Sequence, residues 1–226
     1  MSEIILMSDP RVSAVPVREC GEPLVDIRRN SPLLVDARKQ GDSDAFFYLR
    51  RGVLERLVQA QERLPDGLRF LVVEGYRPPV LQRRYFEKYA KRLRAEQPGW
   101  SDEQVRSAAS RFVSPPDIAP HSAGAAVDLT LADTDGRELD LGTPMNATPE
   151  ESAGACYTDA TGISEQARTH RETLGRALTD AGLVNYPTEW WHWSFGDRYW
   201  ALITGAASAC HGPSRRDAGD WTDAPG

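Results

Sequence analysis

Cysteine is scarce in this chain, at 3 of 226 residues. Cys20, Cys156 and Cys210 are odd in number and far apart in sequence. That argues against a disulfide framework and a CxxC metal motif, and it reads as reduced thiols. Long apolar runs are missing too: none approaches the ~18 residues of a membrane span. The opening stretch MSEIILMSDPRVSAVPV lacks the basic region and long apolar region of a secretory signal. A cytoplasmic protein with no membrane partner is therefore expected. Positive charge is not in excess, since the net charge is -6, which argues against a nucleic-acid partner. A local site can still oppose that sign. Neither GxGxxG nor GxxxxGK[ST] occurs, so no nucleotide-phosphate cradle is expected. What remains has 40% hydrophobic and 27% charged residues, the composition of a soluble globular protein.

Hydrophobic patterning predicts short strands at Leu24–Ile27 and Leu33–Ala37, then a helix from Asp44 to about Leu64. Leu68–Val73 reads as a buried strand. After Pro78-Pro79, the stripe Val80, Leu81, Tyr85, Tyr89 and Leu93 predicts a helix. Ser101 and Gln104 form a capping box for a helix to Val113. Ala125–Leu131 is a β-type run. Asp133–Gly162 is a long polar loop of the kind that often carries function. A helix is expected from Ser164 to Ala181, and strands at Leu183–Tyr186, Trp190–Phe195 and Tyr199–Ile203. No regular βαβ beat appears. The prediction is a compact single α+β domain, 1–211, with a central mainly antiparallel sheet flanked by helices. A disordered tail is expected over 212–226.

Histidine is nearly as scarce as cysteine, at 4 residues. His170 falls within a predicted helix, at the core edge or exposed. His211 is expected at the surface beside the tail. His121 and His192 are different. His121 opens the stretch His121-Ser122-Ala123-Gly124-Ala125-Ala126-Val127-Asp128-Leu129, in which Asp128 interrupts an apolar strand. A buried carboxylate is costly unless it is paired or bound to a cation. His192 sits among Trp190, Trp191 and Trp193, a wall that excludes water. Singly, Asp128 is better read as capping a turn or pairing with an Arg, and His192 as a satisfied core histidine. Together, two His and one Asp are a good three-ligand set for catalytic Zn²⁺. The odd separation from 121 to 128 forbids one flat strand, and Gly124 offers a bend. Glu189 supplies a carboxylate for proton transfer, provided that it lies in the entry to its strand, where alternation need not hold. Arg77 follows a buried strand, where a fixed guanidinium can hold an oxyanion or a carboxylate.

These segments resemble the D-alanyl-D-alanine dipeptidases, the VanX-like members of the zinc D-peptidase family M15. Three motifs match in order: Glu74-Gly75-Tyr76-Arg77-Pro78, then His121 to Leu131, then Glu189-Trp190-Trp191-His192. The similarity spans about residues 15–205. The resemblance implies one Zn²⁺ per chain on His121, Asp128 and His192. It implies Glu189 as general base and acid, Arg77 as the group that stabilises the tetrahedral intermediate, and a small peptide as substrate, D-alanyl-D-alanine in the typical case.

Two positions depart from the family pattern. Ala119 stands where the family usually has Ser, two residues before the first ligand. Asn146, in Leu141-Gly142-Thr143-Pro144-Met145-Asn146, stands where VanX-type members carry an Asp for the substrate's amino end. A neutral amide pairs less well with an ammonium. With Tyr76, these two are the candidate substrate-binding positions. Glu150, Glu151 and Asp159 are candidates to supply the missing charge. Two alternatives follow: an amidase or peptidase for N-blocked or other small peptides, and a non-catalytic zinc-binding module.

Overall fold

The computed structural model describes residues 4–39 and 44–214. In chain order the elements are α1 (Pro10–Ala14), β1 (Leu24–Asp26), α2 (Ile27–Asn30), β2 (Leu34–Val35), β3 (Tyr48–Arg50), α3 (Arg51–Gln61), β4 (Arg69–Glu74), α4 (Pro79–Glu96), α5 (Asp102–Ala109), β5 (Ala126–Ala132), α6 (Glu165–Asp180), β6 (Val184–Asn185), β7 (His192–Ser194) and α7 (Arg198–Thr204). Short 3-10 turns lie at Asp44–Phe47 and Pro120–Ala123. Five strands form one sheet in the order β2-β4-β5-β7-β6. Only the β2–β4 junction is parallel. The fold is thus α+β with a mainly antiparallel sheet, as the sequence predicts.

β5 is central, and all 7 of its residues are buried. Val127, Leu129 and Leu131 join Phe70 and Val72 of β4 in the main core. Val53, Leu54 and Leu57 of α3 and Leu174, Ala177 and Leu178 of α6 cover that core. The intervening β5 positions, Asp128 and Thr130, alternate to the other face. The site is built on that second face.

Several elements differ from the sequence reading, each for a physical reason. Asp44–Leu64 is not one helix. Its first residues make a 3-10 turn, and Tyr48–Arg50 pair antiparallel with Leu24–Asp26. That pairing is tertiary and leaves no local trace. Tyr199–Ile203 is helical rather than extended. The Asp197 carboxylate caps α7, accepting from Trp200 N–H at 3.1 Å and Tyr199 N–H at 3.3 Å, and Gly205 ends it at φ 73°. β7 is shorter than Trp190–Phe195, because Trp190 and Trp191 belong to the turn before it. His211 is 1% exposed, not a surface residue. The chain also stays docked beyond 211. Gly212 N–H donates to Glu19 at 2.7 Å, and Ser214 N–H donates to the Ser122 carbonyl at 2.8 Å. The rest of the expected tail, 215–226, lies outside the described residues.

Side chains of α6 organise the loop over 133–162: Arg168 and His170 each reach one of its carbonyls, at 3.1 Å and 2.7 Å, and Arg171 reaches several. The buried Arg171 donates to the carbonyls of Leu141 (2.7 Å), Tyr157 (2.7 Å) and Ala155 (2.8 Å). The loop is thereby pinned to α6. It also touches the β6–β7 turn, where Trp190 N–H donates to the Cys156 carbonyl at 3.1 Å.

Candidate metal centre and active site

Strand register assembles most of the site. Asp128 of β5 is directly opposite His192 of β7. On its other side Asp128 is opposite Glu74 of β4, past a bulge between Val72 and Glu74. Directly opposite residues project from the same face. Three polar side chains therefore stand in a row across three strands. His121 enters from the 3-10 turn before β5. The chain then bends at Gly124, at φ 67°. That left-handed conformation favours glycine, and a Cβ there would also have to displace the end of the Leu24 side chain. The bend carries His121 back over Asp128.

The three side chains converge on one point. His121 Nε2 is 3.1 Å from His192 Nδ1, which is 3.0 Å from Asp128 Oδ1. His121 Nε2 is 3.3 Å from the same carboxylate oxygen. The other nitrogen of His121, Nδ1, is 2.7 Å from the Gly75 carbonyl. A carbonyl only accepts, so Nδ1 carries the proton and Nε2 presents its lone pair to the cluster. A proton on His192 Nδ1 would serve one of these contacts at a time, whereas a cation serves all three. Metal–ligand bonds of ~2.0–2.1 Å at tetrahedral angles set donor atoms about 3.3 Å apart, which is the spacing found.

Electrostatics agree with that donor set. Burial lowers the His192 pKa, against the pull of Asp128, so the imidazole is neutral as a ligand must be. Burial raises Asp128, but His121 and His192 outweigh it and hold the carboxyl well below its usual range. Glu189 goes the other way. Burial and the Asp128 charge push it well above its usual range. Glu189 lies in the β6–β7 turn, with its N–H on the Tyr186 carbonyl at 2.9 Å and its own carbonyl accepting from His192 N–H at 3.2 Å. The turn, not the strand, brings it to the side of His192.

Glu74 is a site residue that the sequence reading leaves unassigned. It is fully buried and accepts from Arg77 Nε at 2.5 Å and from Lys39. Gln82 of α4 accepts from Arg77 Nη1 at 2.8 Å and donates to the Ser114 carbonyl at 2.7 Å. Two N–H groups of the guanidinium are thus fixed before any ligand arrives. The signal for Glu74 was available: like Asp128, it is a carboxylate in an apolar strand. Burial opposes its ionisation, but the Arg77 and Lys39 charges hold its pKa at about 2, below the usual 4.5. Its stabilising contribution is therefore full above pH ~4.5 and lost as pH falls toward 2. The unfolding free energy from urea titrations should drop through that window by on the order of 3 kcal/mol. Glu74→Gln should flatten that drop; an unchanged acid limb in the variant would contradict the assignment.

These groups line a cleft of about 430 Å³. His121, Asp128, His192, Glu189 and Arg77 form one part of it, with Lys39, Lys88 and Arg92 adding positive charge. Tyr85, Tyr89, Phe112 and Val113 form an apolar wall. Despite the acidic chain, the cleft is basic outside the ligand cluster. Asn146 lines it, in the left-handed region at φ 64°. Tyr76 and Ala119 do not. The Tyr76 ring is buried beside Leu24 and Ala45, and its hydroxyl donates to the Ser214 carbonyl at 3.0 Å. Ala119 is a buried methyl whose carbonyl accepts from Ser122 N–H at 3.1 Å. Neither is among the residues that line the cleft. Glu150 and Glu151 do not supply the missing charge. Glu150 holds the Tyr89 hydroxyl and Arg111, each at 2.6 Å, and Glu151 holds Arg92 at 3.1 Å. Asp159 is exposed and outside the cleft lining.

Two imidazoles and a carboxylate at this spacing, beside a second buried carboxylate and a fixed guanidinium, could together support metal-assisted hydrolysis. Comparison with known proteins narrows the class. The family model for peptidase M15, described as D-ala-D-ala dipeptidase, matches residues 38–204, and the chain belongs to that family. A D-alanyl-D-alanine dipeptidase of Synechocystis sp. is 31% identical over 221 residues, covering 83% of this chain and 87% of that protein. One from Enterococcus faecium is 28% identical over 147 residues, covering 63% and 70%. Among solved structures, the vancomycin-resistance D,D-pentapeptidase VanY, in complex with Zn(II), aligns with a TM-score of 0.45 at 15% identity, over 84% of this chain and 89% of that one. No helix among the described residues is long and apolar enough to cross a membrane.

Proposed function

We propose that this chain is a single catalytic domain that hydrolyses a small dipeptide, D-alanyl-D-alanine, with one zinc ion in the cleft. The observation that carries the reading is the mutual 3.0–3.3 Å approach of His121 Nε2, Asp128 Oδ1 and His192 Nδ1, with Glu189 buried in the same cleft. Those three atoms would hold the ion. Bound there, zinc would supply Lewis acidity that polarises a peptide carbonyl and eases the ionisation of water.

The protein's own groups do the rest. Glu189 takes a proton from the attacking water at a carboxylate oxygen and returns it to the leaving amine nitrogen. Its raised pKa suits a group that must hold that proton between the two steps. Arg77 donates N–H to the oxygen of the scissile carbonyl as charge develops there. Glu74 and Gln82 orient the guanidinium, so little rearrangement is needed during the reaction. The basic residues Lys88 and Arg92 suit the substrate's carboxylate end, and the tyrosine wall excludes water from one side. Arg77→Lys should lower kcat by about 10²-fold, because a lysine cannot match the forked donors held by Glu74 and Gln82. Steady-state kinetics with little change in KM would support this, and unchanged kcat would refute it.

One observation favours the second reading, an N-blocked peptide. Among the described residues, Asp128 and Glu189 are the only carboxylates lining the cleft, and Asn146 is neutral. A free ammonium therefore has no dedicated partner. Rates on D-alanyl-D-alanine and its N-acetyl derivative, measured side by side, decide between the two. If the free dipeptide is the substrate, Asn146→Asp should raise its kcat/KM severalfold relative to the acetylated one. Faster turnover of the acetylated peptide by the unmodified protein would sink the first reading.

A further inference from the structure

Cys20, Cys210 and His211 form a second group of ligand-type side chains outside the cleft. Their sulfur and ring-nitrogen ligand atoms all lie within 4.8 Å of one another. Cys20 Sγ is 3.5 Å from His211 Nδ1. Zinc bonds of ~2.3 Å to sulfur and ~2.0–2.1 Å to nitrogen, at a tetrahedral angle, separate the two ligands by about 3.5 Å. The spacing is that of two ligands of one ion.

The backbone holds these residues in place from both ends of the described chain. Val17 and Ala209 form a parallel bridge, and Cys20 N–H donates to the Cys210 carbonyl at 2.9 Å. The Gly196 carbonyl accepts from both Cys210 N–H (2.8 Å) and His211 N–H (2.9 Å). Gly196 also packs directly against the group. It sits at φ 79°, and a Cβ there would stand 2.7 Å from Cys210 Sγ and 3.0 Å from His211 Nε2. The His211 side chain is fully buried, and its Nε2 has no hydrogen-bond partner. Glu22 Oε2, itself held by Gly52 N–H at 2.8 Å, faces that nitrogen at 3.8 Å. At 3.8 Å this is an ion-pair approach and not a hydrogen bond, and a small shift would let Glu22 accept from the far nitrogen of a histidine that binds metal through the near one. Cys20 is exposed, which leaves the fourth side of the group to water.

We propose that Cys20, Cys210 and His211 bind a second divalent cation of the zinc class, separate from the cleft. Two thiolates and an imidazole favour zinc over hard cations such as magnesium or calcium. Binding displaces the two thiol protons to solvent and changes no oxidation state. The ion clips together segments separated by nearly the whole described chain, so it closes a long loop. It also anchors residues 212–214, where Ser214 N–H meets the carbonyl of Ser122, the neighbour of His121. The role is structural, with an indirect effect on the cleft.

Cobalt loading tests this directly. The cleft ligands contain no sulfur, so thiolate-to-cobalt charge-transfer absorption reports this group alone. Reduced full-length protein loaded with Co²⁺ should show that absorption. It should persist in Asp128→Ala and vanish in Cys210→Ser. Zinc content should be two ions per chain, and one in either variant. A reduced wild-type protein with one zinc and no thiolate–cobalt absorption would overturn the proposal. So would protein purified without reductant that carries a Cys20–Cys210 disulfide by intact mass and takes up no second ion after reduction. The wild-type arms decide the matter even if a variant fails to fold.

Discussion

Glu189→Gln should lose turnover by about 10²–10⁴-fold while keeping its full metal content. The substitution preserves shape and removes only the ability to carry a proton. Its effect should be nearly pure in kcat, because the residue acts on a proton in flight rather than on the bound substrate. The backbone of the turn is held through Glu189 N–H to Tyr186 and the Glu189 carbonyl to His192, neither of which the side chain affects. Thermal stability should hold or rise, since a buried acid with a strongly raised pKa gives way to a neutral amide. Metal analysis beside kinetics separates this outcome from loss of the centre. Equal activity in the variant would remove Glu189 from the mechanism, and the non-catalytic module would become the better reading.

Asp128→Asn should have a still larger effect, by a different route. Asp128 is the one charged member of the triad and stands within 3.3 Å of both imidazoles. Its amide analogue supplies a weak neutral donor in place of an anionic one. Affinity for zinc in the cleft should fall by at least 10²-fold, and activity at trace zinc should fall to background. Two buried imidazoles would then face each other at 3.1 Å with no anion between them. Competition with a chromophoric chelator measures the affinity. Partial recovery of activity at high zinc should accompany it, because the other two ligands are held by β7 and by the Gly75 carbonyl. Wild-type zinc affinity in the variant would show that the ion sits elsewhere.

The sequence and the structure agree best where chemistry conflicts with local packing. Asp128 in an apolar strand, and His192 among tryptophans, were visible because a polar group is expensive there. The capping box at Ser101 and Gln104 was visible because it is local, and both of its hydrogen bonds are present. What stayed hidden was nonlocal. The pairing of β3 with β1 spans more than twenty residues, so Tyr48–Arg50 passed as part of a helix. Tyr199–Ile203 looked extended because aromatic and β-branched residues favour strands, while the deciding cap at Asp197 lay outside the run. Cys20 and Cys210 looked unrelated because they are 190 residues apart. Nothing local in the sequence marks Arg171, because only the folded loop gives it four carbonyls to bind. Glu189 lies in the turn before β7, outside the alternation of that strand.

The most direct test of the central claim is the release of D-alanine from D-alanyl-D-alanine by the full-length protein, before and after chelation. The account predicts turnover by the zinc-loaded protein, its loss to background with a chelator, and its return on adding Zn²⁺. Turnover that survives complete removal of metal from the cleft, or a zinc-loaded protein that cleaves no D,D-dipeptide, free or N-acylated, would contradict it.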